Sequence, residues 1–313
     1  MVFVAGYADP SGKAADLFDS ANASTKKKNS NNPARVNSPE DLSAINIAPL
    51  HFVDPPAHQW IAFQARATWT TPEIDSYLPP AWSDNVPELD KYMILYGSRM
   101  EDDDFGKDAC YPHKTCFPCL GWTDSSTKDA VSHPYCHHYW NTTGTSEPDP
   151  DAGLYYLGVQ WDSSYKRAQV LWDDKVIPSY KAGNKKDAYY WLGRVAHLLI
   201  DTSVPAHTHL DVHILGDSYE GYVKDHYRAW KGEGSPTPAL TLKELFHSMA
   251  EMADDFDSDH KDGEIDKGSR NVCKTGKCGV SKENCRIIGD VLMPQAMRHT
   301  AALYKLFWET THP

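Results

Sequence analysis

The stretch Ala188-Tyr-Tyr-Trp-Leu-Gly-Arg-Val-Ala-His197-Leu-Leu-Ile-Asp201 decides how this chain is read. Ala188, Leu192, Val195 and Leu199 recur at the spacing of one helical face. The pattern predicts a helix over 185–202, and Pro205 stops it. His197 and Asp201 are four positions apart, so they share a face and can offer an imidazole and a carboxylate to one ion. His207 arrives from the turn that follows. Seven nitrogen or oxygen donors stand between residues 201 and 220: Asp201, His207, His209, Asp211, His213, Asp217 and Glu220. Neutral imidazole and carboxylate are what zinc takes besides thiolate. The cluster therefore reads as a metal site in preference to a solvated loop.

Outward from this helix, apolar periodicity predicts further helices and almost no strands. Trp60, Ile61, Ala65 and Thr68 mark a helix over 57–69, with Pro55-Pro56 before it and Thr71-Pro72 closing it. Others are expected over 86–96, ending near Gly97, and as a short piece at 164–175. Three more are expected over 219–230, 242–256 and 286–308, the last kinked at Pro294. Residues 8–44 are rich in Ser, Asn, Asp, Ala and Lys without apolar period, so 1–44 reads as a poorly ordered or surface arm. Long polar insertions occupy about 104–136 and 257–285. Residues 257–266 resemble a calcium loop, but Ser258 and His260 are poor first ligands, so a solvated acidic loop is expected. The fold class is all-α, one multi-helix domain over 45–313 decorated by long Cys-containing loops.

The chain has 313 residues, with 31 Lys and Arg against 43 Asp and Glu, a formal net charge of −12. Its 41% hydrophobic content suits a globular core and argues against general disorder. No run reaches the roughly 18 apolar residues of a membrane span. The acidic balance argues against a nucleic-acid coating protein. The opening Met1-Val-Phe-Val-Ala-Gly lacks the basic segment and apolar core of a secretory leader, so a mature form is expected. The seven cysteines, Cys110, Cys116, Cys119, Cys136, Cys273, Cys278 and Cys285, fall in polar stretches. They read as disulfides stapling loops in an oxidising compartment, with one thiol left over. The rival is a zinc knuckle using Cys116 and Cys119.

The run from Ala188 to His207 resembles the central motif of the zinc-dependent phospholipase C family, whose superfamily also holds single-strand-specific nucleases. His197, three residues, Asp201, five residues and His207 match that motif in identity and spacing. His58-Gln-Trp-Ile, Gly97-Ser-Arg-Met-Glu-Asp102, His137-His138-Tyr139 and Met297 to Trp308 resemble further family segments, in the same order. The resemblance implies the family's all-α fold and three zinc ions. Asp102, His137, His197 and Asp201 would hold one. His58 would hold a second, with Asp201 shared as a bridge. His207 would hold the third, together with His213 and either Asp217 or Glu220. Two departures stand out. The family's His-x-x-x-Glu would put its histidine at Gly216. The family's N-terminal tryptophan ligand has no counterpart, and His51 is the candidate substitute.

The implied activity is phosphodiester hydrolysis, foremost cleavage of a glycerophospholipid to diacylglycerol and a phosphorylated head group. Asp201 would bridge, and Asp102 could assist as base. The alternatives are a single-strand nuclease, or a zinc-stabilised binding module without turnover. The partner would be phospholipid at a membrane surface, met through aromatics such as Trp122 or Trp140, with no stable nucleic-acid complex and no lipid-binding domain after the last helix. The location would be secreted or otherwise extracytoplasmic. Bound zinc would offset the acidic total locally, leaving −12 as a property of the outer surface.

Overall fold

A computed structural model describes residues 57–103, 138–140, 152–156, 159–210, 217–239, 241–256, 258 and 281–313. The 1–44 arm, the 104–136 insertion with its four cysteines, the acidic stretch 259–266, Trp122, His51, His137 and His213 lie outside them. All described residues fall within Asp54–Pro313, one of two units into which the chain divides. No helix among them is long and apolar enough to cross a membrane.

The described residues are all-α apart from one hairpin. Helix α1 spans Ala57–Thr68, α2 Pro72–Asp75, α3 Val86–Leu89 and α4 Met93–Asp103. Strands β1 (Ala152–Tyr156) and β2 (Val159–Asp162) pair antiparallel, with Tyr156 opposite Val159 and Tyr155 opposite Gln160. Next come α5 (Ser164–Leu171), a π-helical turn (Trp172–Val176), α6 (Ile177–Lys181), α7 (Lys185–Asp201) and α8 (Pro205–Thr208). Helix α9 (Ser218–His226) runs into a 3-10 turn (Tyr227–Ala229), and α10 (Leu242–Asp254) and α11 (Lys282–Thr311) complete the chain.

Local chemistry sets several starts. Thr71 caps α2 through Ile74 N, so Thr71-Pro72 opens a helix as well as following one. Thr241 and Glu244 form a reciprocal capping box on α10, and Ser281 caps α11 through Asn284 N. That cap places the start of α11 ahead of the expected residue 286. It also puts Cys285 in a helix, buried in the core, where a polar loop was expected. The helix continues through Pro294.

The centre of the molecule is the packing of α4 on α7. Ile94, Leu95, Leu192, Val195, Leu198 and Leu199 are all buried, each contributing roughly 1.5–3 kcal/mol by leaving water. Gly97 does not end its helix. A methyl group there would overlap the Tyr190 carbonyl oxygen, and one at Gly193 would overlap that of Ile94. Both glycines are therefore read by close backbone approach, which brings the C-terminal half of α4 onto the functional face of α7. Helix α11 closes the other side against α1, α9 and α10. There Tyr304 donates to the Ala62 carbonyl at 3.0 Å, and Trp60 donates to the Trp230 carbonyl at 3.0 Å.

Candidate metal centre

Asp201 ends α7, with its side chain 2% exposed. Four imidazoles surround its carboxylate. His58 Nε2 lies 3.0 Å from Oδ1, and His207 Nδ1 lies 3.8 Å from Oδ1. His138 Nδ1 lies 2.9 Å and His197 Nε2 3.1 Å from Oδ2. The rings pack on one another: His58 and His197 stack at 4.0 Å, and His138 meets His197 edge-on at 5.0 Å. Burial raises the Asp201 carboxyl, but His197 and His138 outweigh it and hold the group well below the ordinary carboxylate range.

The ring nitrogens show what the cluster suits. His197 Nδ1 lies 2.6 Å from the Ser98 carbonyl oxygen. A carbonyl only accepts, so Nδ1 carries the hydrogen and the neutral ring turns its Nε2 lone pair to Asp201. His207 repeats the arrangement. Its Nδ1 donates to the Asp201 main-chain carbonyl at 3.1 Å, and its Nε2 faces Glu220 Oε1 at 3.7 Å. A lone pair facing a carboxylate is favourable only with a cation at the contact, either a proton on the ring or a metal ion. Ligand atoms around a tetrahedral zinc stand about 3.3 Å apart. One donor atom each from His58, His197 and Asp201 lies within 4.8 Å of the other two. The residues present fit a transition-metal ion.

The donors named from sequence divide in the structure. His58, His197, Asp201 and His207 converge, and Glu220 joins from the first turn of α9. Asp217 instead caps α9, its Oδ1 accepting from Tyr219 N at 3.0 Å. His209 turns away to the Asp254 carbonyl at 3.2 Å. Asp102 belongs to the last turn of α4, directly after Glu101. Trp140, expected at a membrane surface, is buried and stacks on Tyr165 at 5.3 Å.

Sequence reading missed His138 and named its neighbour His137. No local pattern marks it, because His138, Tyr139 and Trp140 are all buried, and no alternation of sides singles out one of them. The Trp140 N–H donates to the His207 carbonyl at 3.2 Å, which ties this segment to the centre. Also missed was the support beneath it. Glu101, fully buried, accepts from Arg167 Nε at 3.0 Å and from Arg194 Nε. Burial raises Glu101, but the two guanidinium groups pull its carboxyl down to about 2.

No family model matches the chain, and no curated protein matches it. Among solved structures, alpha-toxin of Clostridium perfringens, from avian strain SWCP, is similar at 16% identity with a TM-score of 0.49, over 82% of this chain and 64% of that one. Alpha toxin from Clostridium absonum is similar at 12% identity with a TM-score of 0.48, over the same shares. The chain thus spans less than two thirds of the length of these structures.

Proposed function

We propose that the protein is a zinc-dependent phosphodiester hydrolase of the phospholipase C type, cleaving a glycerophospholipid to diacylglycerol and a phosphorylated head group. The observation that carries this reading is the buried, ionised Asp201 among four imidazoles, two of them turning lone pairs to carboxylates. His58, His197 and Asp201 would hold zinc, with His138 as a further donor in the role first given to His137. His207 and Glu220 would hold another ion, joined by His213. Asp102 and His51 complete the proposed set of three ions. Bound zinc would supply Lewis acidity toward a phosphoryl oxygen and acidify water at neutral pH.

The chain's own residues do the rest. The Ser98 carbonyl fixes the His197 tautomer and ring plane, and the Asp201 main chain does the same for His207. Asp201 stays charged at working pH, so the centre offers a permanent anion for cations to share. Asp102, at the end of α4, is assigned as the second carboxylate and as a proton acceptor. The substrate lies at a membrane surface, and the enzyme acts outside the cytoplasm.

Metal analysis and turnover together test the reading. More than two zincs per chain are expected, with chelator-sensitive release of phosphorylated head group from phosphatidylcholine vesicles. Chelator-sensitive cleavage of single-stranded DNA in its place would move the activity to the nuclease alternative. Zinc without turnover of either substrate would leave a binding module.

A further inference from the structure

We infer that Glu101 is a positioning residue for the metal centre: gripped by Arg167 and Arg194, it holds the last turn of α4 against α7, so that the frame of His197 is set before any ion arrives. The inference rests on the metal reading above. Glu101 and Arg194 are fully buried and Arg167 is 3% exposed. Burying three charged side chains together is costly unless each is paired, and breaking one pair leaves an unpaired charge in low dielectric. An apolar contact would hold two helices at lower cost, so the position of this cluster matters. Arg194 stands one turn before His197 on α7. Glu101 stands one turn after Ser98 on α4, and the Ser98 carbonyl is the partner of His197 Nδ1. Next to Glu101 comes Asp102. Arg167 reaches in from a third element, α5, and Arg194 is braced further by the Tyr190 hydroxyl at 3.1 Å.

The geometry is directional as well as ionic. Arg167 and Arg194 approach different oxygens of Glu101, Oε1 and Oε2. The carboxylate plane is thereby fixed by helices on two sides, and with it the rotation of the last turn of α4. Gly97 and Gly193 permit the close approach of the helices, and Glu101 selects one angle within it. Without the charge on Glu101, the Ser98 carbonyl could drift from the His197 ring. The ring would then be free to rotate and to present either nitrogen.

The test is zinc binding by competition with a chromophoric chelator, on wild type and Glu101→Gln. It is read beside the visible absorption of the cobalt-substituted proteins and the thermal unfolding of both metal-free chains. Glu101→Gln keeps the shape and removes the charge. Zinc affinity is expected to fall ten- to a hundredfold, as when partners of metal ligands are lost, with an altered cobalt spectrum and helicity retained. Unchanged affinity and spectrum in a less stable metal-free chain would make Glu101 merely structural and overturn the inference. Should Glu101→Gln not fold, Arg167→Gln loosens the grip from one side only. It is expected to lower zinc affinity severalfold, and an unchanged affinity there overturns the inference equally. A wild type that binds no zinc would overturn the metal reading itself, and the inference with it.

Discussion

His197 and His299 make an instructive pair. Both are fully buried, both sit inside long helices, and both place Nδ1 against a main-chain carbonyl. They differ at the second nitrogen. His197 Nε2 faces the Asp201 carboxylate at 3.1 Å, whereas His299 Nε2 accepts from the Ser248 hydroxyl at 2.9 Å. A hydroxyl supplies the proton that a neutral ring wants, so His299 is complete as it stands. Burial depresses its pKa to about 4. The His197 contact, by contrast, calls for a cation. Burial alone therefore separates neither a ligand from a core histidine nor a site from a scaffold. The partner of the last nitrogen does.

Removing that partner should have the largest effect. Asp201→Ala is expected to abolish zinc binding at the central site and to lower turnover on the order of a thousandfold or more. His299→Gln should leave both within a small factor. Zinc titration and initial rates on one lipid substrate check the two together. Retained zinc in Asp201→Ala would remove the distinction drawn between the histidines.

Acid should bring out the other half of the contrast. The folded pKa of His299 is depressed to about 4 against an ordinary 6.5. Between those values the unfolded chain binds the extra proton, so stability falls as pH falls. The contribution is whole above pH 6.5 and is lost on the way to pH 4, amounting to about 3 kcal/mol. Denaturant unfolding of the metal-free chain at pH 7 and pH 4 should show a smaller acid loss in His299→Gln than in wild type. Equal losses would mean that His299 takes its proton without opening the core.

The two histidines also owe their carbonyls to different sources. His299 takes that of Gln295 from its own helix, while His197 takes that of Ser98 from α4, across the glycine crossing. Gly193→Ala should therefore strain His197 and spare His299. Overpacking at the Ile94 carbonyl is expected to cost about 1–3 kcal/mol of stability and to weaken zinc binding, while the His299-dependent acid loss stays unchanged. A loss of stability with full zinc affinity would show that the crossing holds the fold but not the site.

These distinctions mark what the sequence could and could not carry. The helix over 185–202 was legible because four apolar residues at helical spacing agree with its stop at Pro205. His197, Asp201 and His207 were legible because their spacing is local to that helix and turn. Gly97 was misread because glycine ends helices and also permits them to touch, and only the partner helix decides which. The hairpin at residues 152–162 escaped because its first strand, Ala-Gly-Leu-Tyr-Tyr, shows no alternation of apolar and polar residues. His138 escaped because no helical period marks it as pointing inward. The pairing of Glu101 with Arg167 joins residues 66 positions apart, which no local pattern records.

The smallest predicted effect concerns the choice between Asp217 and Glu220, left open by spacing alone. Both are acidic and both lie at the start of α9, yet they face different tasks. Asp217 accepts from the Tyr219 N–H and satisfies a helix end. Glu220, 36% exposed, turns toward His207 Nε2 at 3.7 Å. Asp217→Ala should cost about 1 kcal/mol, as loss of a helix cap does, with zinc affinity unchanged. Glu220→Gln should leave unfolding unchanged in chelator and weaken one zinc by at least the roughly tenfold that loss of a metal site's outer partner costs. Reversal of the two phenotypes would return Asp217 to the centre. It would also require the start of α9 to rearrange when metal binds, since Asp217 would have to release the Tyr219 N–H that it caps.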